Sequence, residues 1–185
     1  RQDLSLLPLM AGVACADAIR DATGLDVQLK WPNDIIWRKK KLGGILCESG
    51  FLGAAPVYAV LGLGLNVSQT RSDFPAELRP SATSLRLALK REVDRGRLER
   101  ALWLALDRWY GIFKRGRKGV IIRAFESKFI IPIGKAIEIR KDKESLCGVF
   151  RGIDPQGRLR VGQGGRELLV SPAEIQGIGD GGGRL

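Results

Sequence analysis

Two short runs concentrate the groups that could do chemistry: Lys30-Trp31-Pro32-Asn33-Asp34 and, seven residues beyond Asp34, Lys41-Leu42-Gly43-Gly44-Ile45-Leu46. Ammonium groups, an amide and a carboxylate stand there beside main chain stripped of side chains. Such a set suits an anionic, phosphate-bearing ligand, because cations offset its charge and glycines let it approach the backbone. Gly62-Leu63-Gly64-Leu65-Asn66 repeats the device. In a strand of period two, Gly62, Gly64 and Asn66 share one face, and Leu61, Leu63, Leu65 and Val67 the other. Gly44, Leu46 and Glu48 share a face in the same way. The glycines also suit a crossing helix, Lys39-Lys40-Lys41 also suits a solvated hairpin turn, and Asn33-Asp34 also suits a plain turn after proline. The coincidence of all these features within 37 residues favours a binding site. The Gly-x-Gly run is not a dinucleotide fingerprint, since no helix opens after it.

These runs need a scaffold. Apolar residues at Leu9, Met10, Val13, Ala14, Ala18, Ile19 and Ala22 recur at helical spacing, and Gly24 follows as a left-handed stop. Strands are expected over 27–31, 35–37, 42–48 and 57–67, forming an antiparallel or mixed sheet. The Ser-, Thr- and Pro-rich stretch 68–84 is a loop. A helix over 98–114 buries Leu98, Leu102, Ala105, Trp109 and Phe113, and a shorter one covers 120–129. Lys114-Arg115-Gly116-Arg117-Lys118-Gly119 is the turn between them. After Pro132-Ile133-Gly134 the pattern changes to short strands over 136–140, 146–154, 159–162 and 167–171, with a turn at Asp154-Pro155-Gln156-Gly157. A small SH3-type barrel over roughly 133–180 is the economical arrangement.

The totals narrow the chemistry. With no histidine among 185 residues, Ser-His-Asp and Cys-His catalysis are excluded, as are most zinc sites. Cys15, Cys47 and Cys147 read as reduced, largely buried thiols, consistent with a cytoplasmic protein. No apolar run reaches the ~20 residues of a membrane span. The net charge of +11 points to an anionic partner or to an arginine-rich solvated surface.

The three runs, in this order and spacing, resemble the catalytic domain of biotin–protein ligases, also called biotin–[acetyl-CoA-carboxylase] ligases. Val149-Phe150-Arg151-Gly152-Ile153-Asp154 with Gln156-Gly157 is similar to their C-terminal SH3-like domain. The resemblance covers about Leu4 to Ile178. It implies an α+β fold, with a partial biotin/lipoate ligase-type catalytic domain at 1–131, an SH3-like domain at 132–180 and a disordered tail from about Gly179, or 181–185. It implies ATP, biotin and Mg²⁺ as ligands and a biotin carboxyl carrier protein as partner. By resemblance, Lys41 and Lys30 are catalytic, and Lys41, Gly44, Leu46, Gly62 and Gly64 contact biotin. Asn33, Asp34 and Asn66 contact the nucleotide, and Asp34 also the metal. A homodimer is compatible with the family. A winged helix for DNA is not found in this sequence, so DNA is not an expected partner. The family's upstream Gly- and Arg-rich loop does not occur before Leu4, so the expectation is an N-terminally truncated, catalytically impaired chain. A lipoate or octanoyl transferase shares the scaffold but lacks the Lys-Trp-Pro-Asn-Asp pattern. A non-catalytic remnant or basic binding module is the reading from another class.

Overall fold

The computed structural model describes residues 4–53, 55–140 and 145–181. After a short 3-10 turn at Leu4–Leu6, helix α1 (Leu7–Thr23) buries most of its length and stops at Gly24, whose φ of 78° lets its N–H reach back to Arg20 O. Four strands follow: β1 (Gln28–Lys30), β2 (Asp34–Trp37), β3 (Lys40–Leu52) and β4 (Ala55–Leu65). They form a sheet in that order, and every ladder is antiparallel. Among the described residues parallel pairing enters as isolated bridges, Leu29 with Phe129 and Lys41 with Ala82. Asp34, expected in the turn, is instead the first residue of β2. Helix α1 packs on one face of the sheet so closely that a Cβ on Gly12 would touch Ile45 Cδ1 at 3.4 Å.

The segment 68–84 is irregular, as its composition implies, but it is not loose. Lys41 N–H donates to Ser81 O and Thr83 N–H to Lys41 O, so it lies along the entrance of β3. Ser84 caps a short helix α2 (Leu85–Leu89) by accepting from Leu87 N–H. Helix α3 (Arg95–Lys114) begins three residues before the expected start because Asp94 caps it, accepting Arg97 N–H at 3.0 Å. Its buried face carries Leu98, Ala105, Trp109 and Phe113, as the spacing predicts, whereas Leu102, expected with them, is only half-buried at the rim of this face. Helix α4 (Lys118–Glu126) ends earlier than expected. Residues 128–130 leave it to cover the open edge of β1, where Leu29 N–H donates to Lys128 O and Ile130 N–H to Leu29 O. Backbone satisfaction at that edge outweighs helical periodicity. Asp17, almost buried on α1, ties these helices together. Its carboxylate accepts from Arg108 Nη2 and Trp109 Nε1 and faces Lys128 Nζ at 3.3 Å.

The chain then forms β5 (Ala136–Arg140), β6 (Ser145–Ile153), β7 (Leu159–Gln163), β8 (Arg166–Val170) and β9 (Gly177–Asp180), an antiparallel sheet in the order β8-β7-β6-β5-β9. Ile137, Ile139, Phe150, Leu159, Val161 and Ile178 supply its core. Strand β9 corrects the expectation of disorder from Gly179: Gly179 pairs with Glu138, and Asp180 with Ile137. The glycines are recruited because Ile178 enters the core and β5 needs a second partner. Residues 182–185 of the expected tail lie outside the described residues. Phe129 meets Phe150 edge-on at a centroid distance of 4.9 Å, joining the two apolar cores.

Candidate functional site

Register assembles the site. Lys30 pairs with Asp34, Asp34 with Gly44 and Gly44 with Gly64, so one row crosses all four strands. Directly paired residues point to the same face, here the face turned away from α1. The next row sets Leu46 against Gly62, and Leu46 is 59% exposed on this face. A Cβ on Gly62 would come no nearer than 3.6 Å to Leu46 Cβ, and one on Gly64 no nearer than 3.8 Å to Gly44 O. The surface there is bare main chain, open to a flat ligand.

Lys41 reaches this face through an irregularity. Strict alternation along β3 would put Lys41 with Gly43 and Ile45, on the α1 side. Instead Ile35 pairs with Gly43 and Ile36 with Lys41, leaving Leu42 as an extra, fully buried residue. The bulge turns the Lys41 side chain to the other side. Its Nζ lies 2.5 Å from Asp34 Oδ1. A Cβ on Gly44 would meet the same pair at 3.5 and 3.6 Å. Gly43 lets β4 come close on the other side of β3, since a Cβ there would lie 2.5 Å from Gly64 O. Lys30 makes no ion pair among the described residues, so the row carries surplus positive charge.

The two asparagines act as backbone staples. Asn33 Nδ2 donates to Ile45 O and Ile45 N–H to Asn33 O, both at 2.8 Å, holding the β1–β2 turn over β3. Asn66 N–H donates to Leu42 O, inside the bulge, and its Nδ2 donates to Thr83 O at 3.1 Å. Neither Oδ1 accepts a hydrogen bond among the described residues, so each side chain retains an acceptor.

The sequence reading did not foresee two neighbouring features. Beside the β2–β3 turn, Arg38, Lys40, Arg71 and Arg79 surround a hollow of about 240 Å³ with Trp37 and Phe74. Arg38 lies over the Trp37 ring at 4.7 Å. The basic loop composition was visible, but its folding back onto the hairpin was not. The other is a cavity of about 570 Å³ between α3 and β4, lined by Met10, Leu61, Leu63, Leu102, Trp103 and Leu106. It is larger and mostly apolar, with Glu99 and Asp107 also in its lining, lies on the α1 side and holds none of the Lys30, Asp34 and Lys41 charges. The candidate site is therefore the open glycine face, where the lysines, the carboxylate and the bare main chain lie together.

Known proteins share this framework. Residues 2–66, which contain all three motifs, match the Biotin/lipoate A/B protein ligase family. The bifunctional ligase/repressor BirA of Bacillus subtilis is 33% identical over 171 residues, 91% of this chain. The chain spans about half the length of that relative, 52%. The biotin–[acetyl-CoA-carboxylase] ligase of Paracoccus denitrificans is 30% identical over 181 residues, covering 91% of this chain and 71% of that protein. The fold is that of the Aquifex aeolicus biotin protein ligase solved with biotin and ATP: TM-score 0.81 at 23% identity, over 97% of this chain and 73% of that one. Extended similarity to a relative at this coverage, added to the motif match, means that the chain belongs to the biotin–protein ligase family.

Proposed function

We propose that this chain carries the acyl-adenylate site of a biotin–[acetyl-CoA-carboxylase] ligase, activating biotin with ATP and passing it to a lysine of a biotin carboxyl carrier protein. The observation that carries the reading is the convergence of Lys30, Asp34 and the bulge-turned Lys41 over the glycine row. In the first step a biotin carboxylate oxygen bonds to the α-phosphorus of ATP as the bond to pyrophosphate breaks. In the second, the carrier amine attacks the acyl carbon and AMP leaves. Both transition states gather negative charge at the carboxyl–phosphate junction, where fixed cations lower the barrier. Lys41 serves that junction and Lys30 the phosphates. Gly44, Leu46, Gly62 and Gly64 form the biotin floor, and Asn33 and Asn66 offer their Oδ1 atoms to the nucleotide side.

Asp34 is a single carboxylate already paired with Lys41, and no cluster of three His, Cys, Asp or Glu groups occurs among the described residues. That donor set fits Mg²⁺ as an ion held chiefly by phosphate oxygens and water, with Asp34 as its protein ligand. Bound there, Mg²⁺ would offset triphosphate charge. The passage from the four-stranded to the five-stranded sheet supports dividing the chain at 131/132 into a catalytic unit and an SH3-like unit. No helix among the described residues is long and apolar enough to cross a membrane. The reaction belongs in the cytoplasm with its carrier.

The test is ATP- and biotin-dependent labelling of a carrier domain, with calorimetric titration of a non-hydrolysable biotinyl-adenylate analogue. Lys41→Ala is expected to lower turnover at least about a hundredfold. Unchanged affinity and turnover would remove Lys41 from the site. Salt-sensitive binding of duplex DNA without labelling would favour a basic binding module instead.

A further inference from the structure

Trp31 stands in the middle of the first motif yet takes no part in the open face. Lys30 and Asp34, on either side of it, lie on the ligand row, whereas Trp31 is 1% exposed. Its indole Nε1–H donates across 126 positions of sequence to Gly157 O at 2.9 Å. If the ring only filled space, an aromatic without a donor would serve. A buried indole N–H needs a partner, and here the partner is the β6–β7 turn of the other sheet.

That turn is stiff. Asp154 Oδ1 accepts from the N–H groups of Gln156 and Arg158, both at 2.9 Å. Asp154 Oδ2 accepts from Arg158 Nε at 2.8 Å and Nη2 at 2.6 Å. Gly157, at φ 79°, donates its N–H to Asp154 O at 2.9 Å. A Cβ at Gly157 would press on Ser5 O at 3.3 Å and Leu6 Cδ2 at 3.4 Å, so the turn also seats against the start of α1. Nearby, Glu126 Oε1 accepts Ile153 N–H at 2.7 Å. Strand β1, by contrast, has only three residues, and Lys30 is the last of them.

We propose that Trp31 is a positioning residue. Its hydrogen bond to Gly157 fixes the Lys30–Asp34 turn, making the β6–β7 turn part of the acyl-nucleotide site although it lies behind the ligand face. The ligand half of this inference rests on the proposed function, while the positional half rests on the hydrogen-bonded geometry alone. Reactive groups held only loosely lose much of their effect, so the anchor bears on affinity as well as on order.

The experiment uses the full chain, its Trp31→Phe variant, which keeps a ring and removes the donor, and Asp154→Asn, which loosens the turn without touching Trp31. Amide exchange at Ile45, whose N–H is held by Asn33 O, is expected to rise about tenfold in each variant beyond any rise at Ile19 in the core of α1, the comparison that separates a local effect from the general loss of stability that disturbing buried groups brings. Affinity for the biotinyl-adenylate analogue should fall by about the same factor, and the double variant should be no worse than the worse single one. Unchanged Ile45 exchange in both variants, or effects that simply add, would overturn the proposal. Should Trp31→Phe not fold, faster exchange of the Trp31 indole N–H in Asp154→Asn supports the anchor, and unaltered exchange refutes it. A parent chain that binds no analogue refutes the functional reading, while the exchange data still decide the positional one.

Discussion

A side chain added at Gly64, in the four-stranded sheet, would meet nothing nearer than Gly44 O at 3.8 Å; one added at Gly148, in the five-stranded sheet, would strike Val161 Cγ1 at 2.5 Å and Gly162 O at 2.7 Å. The same residue type thus leaves room for something outside the chain in one sheet and lets the chain pack on itself in the other. Charge follows the same division. In the five-stranded sheet Arg160 pairs with Glu167 and Arg158 with Asp154, whereas on the glycine face Lys41 pairs with Asp34 and Lys30 makes no ion pair among the described residues. Open backbone beside an unpaired lysine leaves room for a ligand, whereas Gly148 and Gly162 of the other sheet are closed over by the chain's own atoms.

The sharpest way to break this comparison is Gly64→Val. The isopropyl group would stand in open space on an edge strand, where β-branched residues are favoured, so the fold should hold. The ligand face would be filled, and affinity for the biotinyl-adenylate analogue should fall at least about a hundredfold, since overpacking a built contact costs ~1–3 kcal/mol and displacing the ligand costs more. Calorimetric titration beside a melting curve reads both. Retained affinity would mean that the glycines serve packing. Next in size is Asp17→Ala, expected to cost on the order of 3 kcal/mol in denaturant unfolding, because Arg108, Trp109 and Lys128 would all lose a nearly buried acceptor. Gly148→Ala is the counterpart of Gly64→Val. It should lower stability by about 1–3 kcal/mol and leave analogue affinity unchanged at a temperature where the chain is folded.

Period-two reasoning made half of the site legible, because Gly44, Leu46, Gly62 and Gly64 do share a face. It could not place Lys41. Alternation assigns that side chain to the opposite face, and only the pairing of β2 with β3 around the buried Leu42 reverses it. A bulge is a property of two strands together, so a single sequence hides it. The helices were legible in their buried faces but less so at their ends, since Asp94 extends α3 and the edge of β1 draws 128–130 out of α4. Strand β9 was masked by glycine-rich composition, with Ile178 as the one apolar signal. The Trp31–Gly157 bond had no local signal, because a tryptophan in a motif reads as a ligand contact or as core and not as a tether to the β6–β7 turn.

How well the α1 side is sealed can be read from the thiols. Cys15, on α1, is 2% exposed, and burial pushes its thiol up from 9.0 to about 12; Cys47, half-buried on β3, is raised by the same cause. In the native chain at pH 8, iodoacetamide should therefore modify Cys15 after Cys47 and Cys147, as peptide mass mapping would read. The linkage has a definite sign. The unfolded chain loses the Cys15 proton near 9.0 while the folded chain holds it to about 12, so the unfolded state binds fewer protons in that window. Stability must then fall as pH rises from 9 towards 12, by roughly 1.4 kcal/mol per unit from this group at the steepest, and be unaffected by it below. Cys15→Ala removes the titrating group, so its unfolding midpoint should decline less than that of the parent between pH 8 and 10.5. Equal declines, or early alkylation of Cys15, would mean that the helix-backed side admits water as the glycine face does.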